Sequence, residues 1–311
     1  MSDKAAEIAV IASLPADVRT ALSERFALAD YPLEGPQAVP ISTIPHHFHV
    51  VATRALLGVP PLLLDALPHL KLVISMGAGL EKIDTDRLAQ RNIEVVHTPD
   101  EFTEDVADFA LGQIFAAQRD LVAADRFVRS GQWATSRFRT ARRVTNRRVG
   151  IVGLGRIGRR IADKCAALGM APAYHSRRRH DESDLTYFPS LGDLARWCDI
   201  LVLACADTPE TRNMVDKPVL DALGPEGILV NVARGSVVDE EALIAALEHQ
   251  TIKAAALDVF VGEPRLDERF LRLENVLLSP HSASFTEEAR AAVNMRLVSA
   301  ASAYFARHSP G

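Results

Sequence analysis

Short runs of apolar residues alternate with segments of helical period along nearly the whole chain. This alternation is typical of a parallel sheet with helices on both faces, because a strand buried on two sides reads as a continuous apolar run. In the first third of the chain, strands are predicted at 8–12, 50–53, 72–75 and 93–96, with helices between them at 61–66 and 85–91. The pattern therefore predicts an α/β fold that begins with one small open sheet.

A long amphipathic stretch without internal proline runs from Thr103 to about Ser130. Its first residues, Thr103-Glu104-Asp105, are a cap and an acidic first turn, so we expect one long helix that joins two domains. A basic, loop-like segment follows at 137–148. A second strand series is then predicted at 149–152, 171–175, 200–205, 228–232, 254–259 and 276–278. The two series predict two doubly wound parallel-sheet domains.

A glycine-rich turn follows the first strand of the second series. The sequence Gly153-Leu154-Gly155-Arg156-Ile157-Gly158 stands between the apolar run 149–152 and a helical stretch. There the first glycine allows a tight turn, the second lets the backbone approach a diphosphate, and the third permits close packing of helix on strand. The helix N-terminus would face the negative charge. We therefore predict a Rossmann dinucleotide-binding domain.

The end of the next strand lacks the acidic residue that usually binds the ribose of NAD about 20 positions beyond the glycines. No Asp or Glu occurs at 164–180, and His175, Ser176, Arg177 and Arg178 stand there instead. Guanidinium groups with a hydroxyl beside them suit a dianionic 2′-phosphate. We expect NADP(H) to be preferred, with NAD(H) possible; a solvated basic turn is the alternative.

Polar side chains follow three later strands of the series, where residues of an open α/β sheet face the ligand crevice. Arg234 follows the run 228–232, His281 follows the run 276–278, and Glu263 lies between them. Reduction of a keto acid requires a proton donor, a cation that polarises the carbonyl, and a carboxylate that keeps the donor charged. We expect His281, Arg234 and Glu263 to fill these roles. A histidine satisfied at a strand end is the alternative for His281.

With these motifs in order, the chain resembles the D-isomer-specific 2-hydroxyacid dehydrogenase family, particularly its glyoxylate/hydroxypyruvate and hydroxyphenylpyruvate reductase branch. The resemblance covers almost the whole chain. Besides the glycine turn, it rests on Gly77-Ala78-Gly79, Ile83-Asp84, Thr98-Pro99, Asp105-Val106-Ala107, Thr208-Pro209-Glu210-Thr211, Ala233-Arg234-Gly235, Val238-Asp239, Leu257-Asp258-Val259-Phe260, Glu263-Pro264 and Pro280-His281. In that family the matching arginine binds and polarises the substrate, the histidine is the acid/base, and the glutamate pairs with the histidine.

The resemblance implies further site residues. The segment Met76, Gly77, Ala78 and Gly79 would receive the substrate carboxylate on backbone N–H groups, and Arg54 is a candidate second contact, with a surface salt bridge as the alternative. The assignments toward the cofactor are Val106 at the ring pocket, Asp258 near the nicotinamide amide, Cys205, Thr208 and Pro209 beside the adenosine, and Val232, Ala233 and Arg234 beside the nicotinamide ribose.

The implied architecture is a flavodoxin-like substrate domain, residues 1–99 plus 285–311, and a Rossmann dinucleotide-binding domain, residues 100–284. The expected activity is NADP(H)-dependent reduction of a small 2-keto acid, of the glyoxylate or hydroxypyruvate type, to the D-2-hydroxy acid. A bulkier substrate, hydroxyphenylpyruvate or 2-ketogluconate, is one alternative, and a nucleotide-sensing binding protein is an alternative of another class. The resemblance also implies a homodimer, through the helix at Thr103 and the loop after it.

Composition and charge narrow the expected partners. The chain has 35 Lys+Arg and 40 Asp+Glu, a formal net charge of −5, which gives no electrostatic reason to expect nucleic acid or an anionic membrane as partner. The first residues lack the charged-then-apolar order of a signal peptide, so we expect a cytoplasmic protein.

The remaining chemical groups favour ordinary structural roles. Cys165, Cys198 and Cys205 stand in apolar segments without a Cys-x-x-Cys pair, so we expect buried, reduced thiols. The histidines at 46, 47 and 49 lack a nearby cysteine or spaced carboxylates and favour a polar loop, so no metal is predicted. Trp133 and Phe285 are candidates either to shape the pocket or to pack in a core or interface.

Overall fold

A computed structural model describes residues 6–308 of the chain. The chain divides into two compact units: the first comprises the residues up to Phe102 together with those from Phe285 onward, and the second comprises Thr103–Ser284. Each unit contains a parallel sheet of its own.

The sheet of the first unit has five strands in the order β2-β1-β3-β4-β5, which is the flavodoxin-like order. Its elements are β1 (Glu7–Val10), α1 (Ala16–Ser23), β2 (Ala27–Asp30), β3 (Val50–Arg54), α2 (Pro61–Ala66), β4 (Leu72–Met76), α3 (Thr85–Gln90) and β5 (Glu94–Val96). The predicted α/β class and sheet type are confirmed. Strand β2 was not predicted, because an edge strand whose residues are only half-buried lacks a continuous apolar run.

The sheet of the second unit has seven strands in the order β12-β11-β10-β9-β6-β7-β8. This is the Rossmann order with one strand added beyond the sixth. Its elements are α4 (Thr103–Gln118), α5 (Leu121–Arg129), β6 (Arg148–Val152), α6 (Arg156–Ala167), β7 (Ala171–His175), β8 (Thr186–Tyr187), α7 (Leu191–Trp197), β9 (Ile200–Leu203), α8 (Lys217–Leu223), β10 (Ile228–Asn231), α9 (Glu240–Glu248), β11 (Ala254–Leu257) and β12 (Val276–Leu278). The six predicted strands are present, and the two-residue β8 is too short to show a period.

The prediction of one helix from Thr103 to Ser130 is wrong, since the chain breaks between α4 and α5. Asp120 has φ +53°, in the left-handed region, and it ends the regular helical backbone although neither Gly nor Pro stands at the break. Aspartate tolerates this region better than most residues. Its carboxylate lies 3.1 Å from Nε of Arg139, in the loop that follows, so a tertiary ion pair stabilises the break.

Side-chain caps define the start of several other helices. Asp84 accepts a hydrogen bond from the N–H of Arg87 at the start of α3, and Ser190 does the same for the N–H of Asp193 at α7. Asp216 and Asp239 cap α8 and α9 through N–H groups three residues further on. These bonds satisfy backbone donors that have no partner inside a helix, so the sequence fixes each helix start locally.

The last helix, α10 (Glu287–His308), packs on the first unit. Val293, Leu297, Ala301 and Tyr304 recur at helical spacing and are buried in one cluster with apolar residues of β1, β3, β4 and α1. Within residues 6–308, no helix combines the length and the apolar composition needed to cross a membrane.

An ion pair holds α10 against α1. Arg290 donates from Nη2 to Oδ1 of Asp17 at 2.7 Å and from Nε to Oδ2 at 2.9 Å, and Asn294 adds a third bond to the same carboxylate. The bond from Arg290, opposed by partial burial and aided by Asn294, lowers the pKa of Asp17 from 3.8 to about 2. The carboxylate is therefore stabilised in its charged form in the folded protein.

We predict that Asp17→Asn lowers the stability of the first unit at neutral pH by about 1 kcal/mol or less, since the pair is partly exposed. Because the folded-state pKa is depressed, the wild-type advantage is present above the unfolded value of 3.8 and is lost as the pH falls toward about 2. Urea midpoints of both proteins across that range measure this. An advantage of the wild type that does not change with pH would contradict the assignment.

Candidate active site

His281 and Glu263 lie side by side beyond the carboxyl ends of β12 and β11. Nδ1 of His281 is 2.7 Å from Oε2 of Glu263, and Oε1 of Glu263 accepts the N–H of Phe260 at 2.9 Å. Burial alone would raise the pKa of Glu263, but the hydrogen bonds with His281 and Phe260 together outweigh it and lower this pKa. The carboxylate therefore stays charged and holds one ring nitrogen, which leaves Nε2 of His281 for a reacting group.

The loop that carries His281 is fixed by Asp258. His281 has φ +53°, a conformation that costs energy for a residue with a side chain. The carbonyl of Asp258 accepts the N–H of His281 at 2.8 Å, and its carboxylate accepts the N–H groups of Ser282 at 3.0 Å and Ala283 at 2.9 Å. Since only 1% of Asp258 is exposed, this residue positions the histidine. Its contact with the nicotinamide stays a prediction.

Arg234 lies in the turn after β10, which is held by the last residue of that strand. The side chain of Asn231, 1% exposed, accepts the N–H of Ala233 and donates to the carbonyl of Arg234, both at 3.0 Å. A Cβ on Gly235 would lie 2.1 Å from the carbonyl carbon of Phe260, so this turn packs directly on the loop that carries Glu263. The charge of Arg234 favours the ionised form of Glu263. Glu263 thus links the other two predicted residues.

The positioning roles of Asn231 and Asp258 were not predicted. Both are polar residues that close an otherwise apolar, buried strand, Asn231 ending β10 and Asp258 directly following β11. A buried polar group requires a hydrogen-bond partner, so a single polar residue at the end of such a run is the sequence signal. The signal does not say which neighbouring loop supplies the partner.

The glycine turn has the geometry that a diphosphate requires. Gly153 has φ +92°, and a Cβ on it would lie 2.7 Å from Cα of Cys205; a Cβ on Gly158 would lie 1.9 Å from the carbonyl oxygen of Gly153. A Cβ on Gly155, which directly precedes α6, would meet nothing within 4 Å. Gly153 and Gly158 are thus needed because other parts of the protein pack against them. Gly155 leaves open space at a helix N-terminus, where an anion binds well.

The end of β7 leads directly to the basic turn. The carbonyl of His175 accepts the N–H of Gly153 at 2.8 Å, so the glycine turn and the basic turn are neighbours. The hydroxyl of Tyr187 donates to the carbonyl of Ser176 at 3.2 Å and fixes the start of the turn. Arg177 and Arg178 are exposed, and neither forms an ion pair with a carboxylate of the described residues.

The other residues assigned toward the cofactor lie in the second unit. Val106, Val232 and Ala233 are buried, and the N–H of Thr208 donates to Oγ1 of Thr211 at 2.8 Å, which closes the turn containing Pro209.

All three cysteines are free, but only two are buried as expected. Burial raises the pKa of Cys165 and Cys198 to about 12. Cys205 is half-buried, which corrects the expectation for this residue, because it lies in the loop beyond the end of β9 rather than within the sheet. Burial still raises its pKa to about 11, so its thiol stays protonated at neutral pH.

In the first unit, the loop after β4 begins with Gly77, which has φ +120°. Its N–H donates to Oγ1 of Thr98 at 2.8 Å, so this donor is already used. The N–H groups of Ala78 and Gly79, rather than all three, are therefore the ones left for a carboxylate. Arg54 ends β3 in register with Met76 and lies 2.7 Å from Glu34 in an ion pair.

The remaining candidates have separate surroundings. His46 contacts the carbonyl of Ala66, His47 contacts Glu7, and His49 contacts the hydroxyl of Tyr304. Across residues 6–308, no three His, Cys, Asp or Glu side chains are grouped so as to hold a metal ion. Trp133 and Phe285 are 68% and 66% exposed, so neither packs in the core of the chain.

A Rossmann sheet with this glycine turn, and a histidine, glutamate and arginine beyond its strand ends, defines the class of dinucleotide-dependent oxidoreductases. Residues 111–283 match the family model described as D-isomer specific 2-hydroxyacid dehydrogenase, NAD binding domain. The chain belongs to the D-isomer specific 2-hydroxyacid dehydrogenase family.

Several relatives match most of the chain. The chain is 43% identical over 248 residues to a 2-ketogluconate reductase from Gluconobacter oxydans, covering 80% of each protein. It is 41% identical over 288 residues to a glyoxylate/hydroxypyruvate reductase from Arabidopsis thaliana, covering 93% of this chain and 92% of that protein. An NADPH-dependent glyoxylate/hydroxypyruvate reductase from Sinorhizobium meliloti, solved with NADP and malonate, superposes with a TM-score of 0.88 at 36% identity and covers 96% of this chain and 93% of that one. The protein is thus an enzyme of the 2-hydroxyacid dehydrogenase and reductase kind, with a nicotinamide dinucleotide as its cofactor.

The glycine turn yields a paired prediction. Gly158→Ala should destabilise the second unit by about 1–3 kcal/mol, because the new methyl group must displace backbone. Gly155→Ala should leave stability nearly unchanged, since its φ of −75° suits alanine and its Cβ meets no atom, yet weaken dinucleotide binding by filling the space for the diphosphate. Urea unfolding and NADPH fluorescence titration measure the two effects. If Gly155→Ala binds NADPH as tightly as the wild type does, the assignment of the diphosphate to this turn is wrong.

Proposed function

We propose that this protein is an NADP(H)-preferring reductase that converts a small 2-keto acid, of the glyoxylate or hydroxypyruvate type, into the D-2-hydroxy acid. The observation that carries the proposal is the 2.7 Å contact between His281 and the charged Glu263, beside Arg234. The relatives from Arabidopsis and Sinorhizobium, both named glyoxylate/hydroxypyruvate reductases, support this substrate type. The first unit would be the substrate domain and the second the dinucleotide-binding domain.

The residues of the second unit supply the proton and the charge that the reaction needs. When bound, the reduced nicotinamide supplies a hydride to the keto carbon. Glu263 holds Nδ1 of His281, and Nε2 of His281 donates a proton to the keto oxygen as that carbon is reduced. One hydride and one proton together convert the keto group into the hydroxyl group. In the oxidative direction His281 takes the proton back.

Arg234 stabilises the charge that develops on the keto oxygen. Its turn is fixed by Asn231 and by packing on Phe260, so the guanidinium needs little reorganisation during the reaction. The free N–H groups of Ala78 and Gly79 bind the substrate carboxylate. The histidine loop, held by Asp258, keeps Nε2 in one orientation despite its left-handed backbone.

Arg177 and Arg178 support the preference for NADP(H). They are exposed at the end of β7, beside the glycine turn, and neither forms an ion pair with a carboxylate of the described residues, although the charge of Arg177 helps to lower the pKa of Glu210. Guanidinium groups in that position bind a 2′-phosphate by charge-assisted hydrogen bonds, whereas NAD(H) offers them only hydroxyl groups.

The double variant Arg177→Ala/Arg178→Ala should raise the KM for NADPH by about tenfold or more and change that for NADH little, since charged hydrogen bonds to the phosphate are lost. Initial rates of cofactor oxidation with a fixed keto acid measure both values. The matched control is Arg179→Ala, whose side chain is 69% exposed and already faces Asp181 at 3.9 Å. An equal rise in the KM for NADPH and for NADH would contradict the assignment of a 2′-phosphate site.

His281→Ala should reduce kcat with glyoxylate and hydroxypyruvate by roughly 10²–10⁴-fold, because the proton donor is lost. NADPH affinity, measured by fluorescence titration, should stay close to the wild-type value, since His281 is not among the cofactor-binding residues. Loss of cofactor affinity together with turnover would instead identify a structural histidine.

A bulkier substrate is the second candidate, because the Gluconobacter relative is named a 2-ketogluconate reductase. Relative kcat/KM for glyoxylate, hydroxypyruvate, hydroxyphenylpyruvate and 2-ketogluconate in the same assay decides between the two. If the protein binds NADPH but reduces none of them, a nucleotide-sensing role gains support.

We further propose a homodimer formed through α5 and the segment after it. None of the residues of α5 is buried, and Leu121, Val122 and Val128 are at least 39% exposed, as is Trp133 in the turn that follows. An exposed apolar group of this size on one helix and turn is typical of an interface with another chain.

A further inference from the structure

The carboxyl edge of the first sheet carries an ion pair that the proposed reaction does not use. Arg54 donates from Nε to Oε1 of Glu34 at 3.0 Å, and its Nη2 lies 2.7 Å from the same oxygen. The side chains are 32% and 27% exposed, so the pair is partly shielded from solvent. It is therefore better defined than a typical surface salt bridge.

Both partners stand on fixed backbone. The carbonyl of Arg54 accepts the N–H groups of Leu57 and Gly58, which closes the turn after β3. The segment that carries Glu34 is joined to the end of β1, since the N–H of Leu33 donates to the carbonyl of Ile11 at 2.9 Å. Because both loops are tied to neighbouring strands, the pair is part of the sheet edge.

The pair lies beside the loop assigned to the substrate carboxylate. Arg54 is in register with Met76, the last residue of β4, and the N–H of Ala55 donates to the carbonyl of Met76 at 2.8 Å. Neighbouring strands are about 4.8 Å apart, so Arg54 lies one strand from the segment that leads into Ala78 and Gly79. A substituent on the substrate beyond its keto carbon is then within reach of an arginine side chain.

The groups that the pair leaves open favour hydroxyl groups over carboxylates. Within residues 6–308, Nη1 of Arg54 and Oε2 of Glu34 form no hydrogen bond, so the pair keeps one donor and one acceptor for a ligand. A hydroxyl group both donates and accepts, whereas a carboxylate only accepts and is repelled by Glu34. The net charge of the pair is zero, and it attracts no second anion.

We propose that Glu34 is a specificity-determining residue: paired with Arg54, it selects 2-keto acids that carry a hydroxyl group beside the keto carbon and rejects those with a second carboxylate. The inference rests on the proposed reductase function. Glu34 neutralises the charge of Arg54. The two side chains together contact the part of the substrate beyond its keto carbon.

The test compares kcat/KM for hydroxypyruvate, pyruvate and oxaloacetate with NADPH in the wild type and in Glu34→Gln. The wild type should prefer hydroxypyruvate and use oxaloacetate poorly. Glu34→Gln frees the charge of Arg54, so the oxaloacetate-to-pyruvate ratio should rise by about tenfold or more, mainly through a lower KM for oxaloacetate. Adding Arg54→Gln to this variant should abolish the gain.

Glu94→Gln is the matched control, since Glu94 pairs with Arg307 at 3.0 Å at the amino end of β5, on the opposite edge of the same sheet. It should leave all three substrate ratios unchanged. Thermal melts check that each variant is folded. If the wild type reduces keto acids but Glu34→Gln keeps the wild-type substrate ratios, the role of Glu34 is wrong while the proposed function stands. If the wild type reduces neither these three substrates nor glyoxylate with NADPH or NADH, the proposed function fails and the inference with it.

Discussion

Every pair of strands in both sheets runs parallel, and this constraint determines where chemistry can occur. Parallel strands all end at the same edge, so residues far apart in sequence meet there when they directly follow a strand. In the second unit this edge collects the glycine turn, Arg234, Glu263 and His281. In the first unit it collects Glu34, Arg54 and the loop that begins at Gly77.

Strand ends alone would leave these loops mobile, and buried polar side chains fix them. Asp258 binds three consecutive N–H groups of the histidine loop through its carbonyl and carboxylate, and Asn231 binds two groups of the arginine turn. Each is almost fully buried, and a buried polar group without a partner is costly. The hydrogen bonds that satisfy Asp258 and Asn231 therefore also hold the loops of His281 and Arg234 in place. The same bonds stabilise the fold and position the two site residues.

Charge is distributed differently at the two edges. At the second unit's edge, Glu263 is shared by His281 and Arg234, and the group as a whole can hold a proton and stabilise developing negative charge. At the first unit's edge, Arg54 is neutralised by Glu34. The first arrangement suits catalysis on an acid, and the second suits recognition of the uncharged part of a substrate.

The sequence by itself determined the features that depend on local pattern. Apolar runs located ten of the twelve strands within residues 6–308, and the glycine spacing located the nucleotide turn. The basic residues after β7 were noticed because the usual carboxylate is missing there. Residues that follow a strand, such as His281 and Arg234, were predicted because topology fixes their edge. Tertiary structure decided the features that depend on partners distant in sequence. Arg139 stabilises the break at Asp120, Thr98 uses the N–H of Gly77, and Glu34 neutralises Arg54. Each partner is 19 to 21 positions away, and no periodicity or spacing records which polar group the fold will bring within hydrogen-bond distance of another.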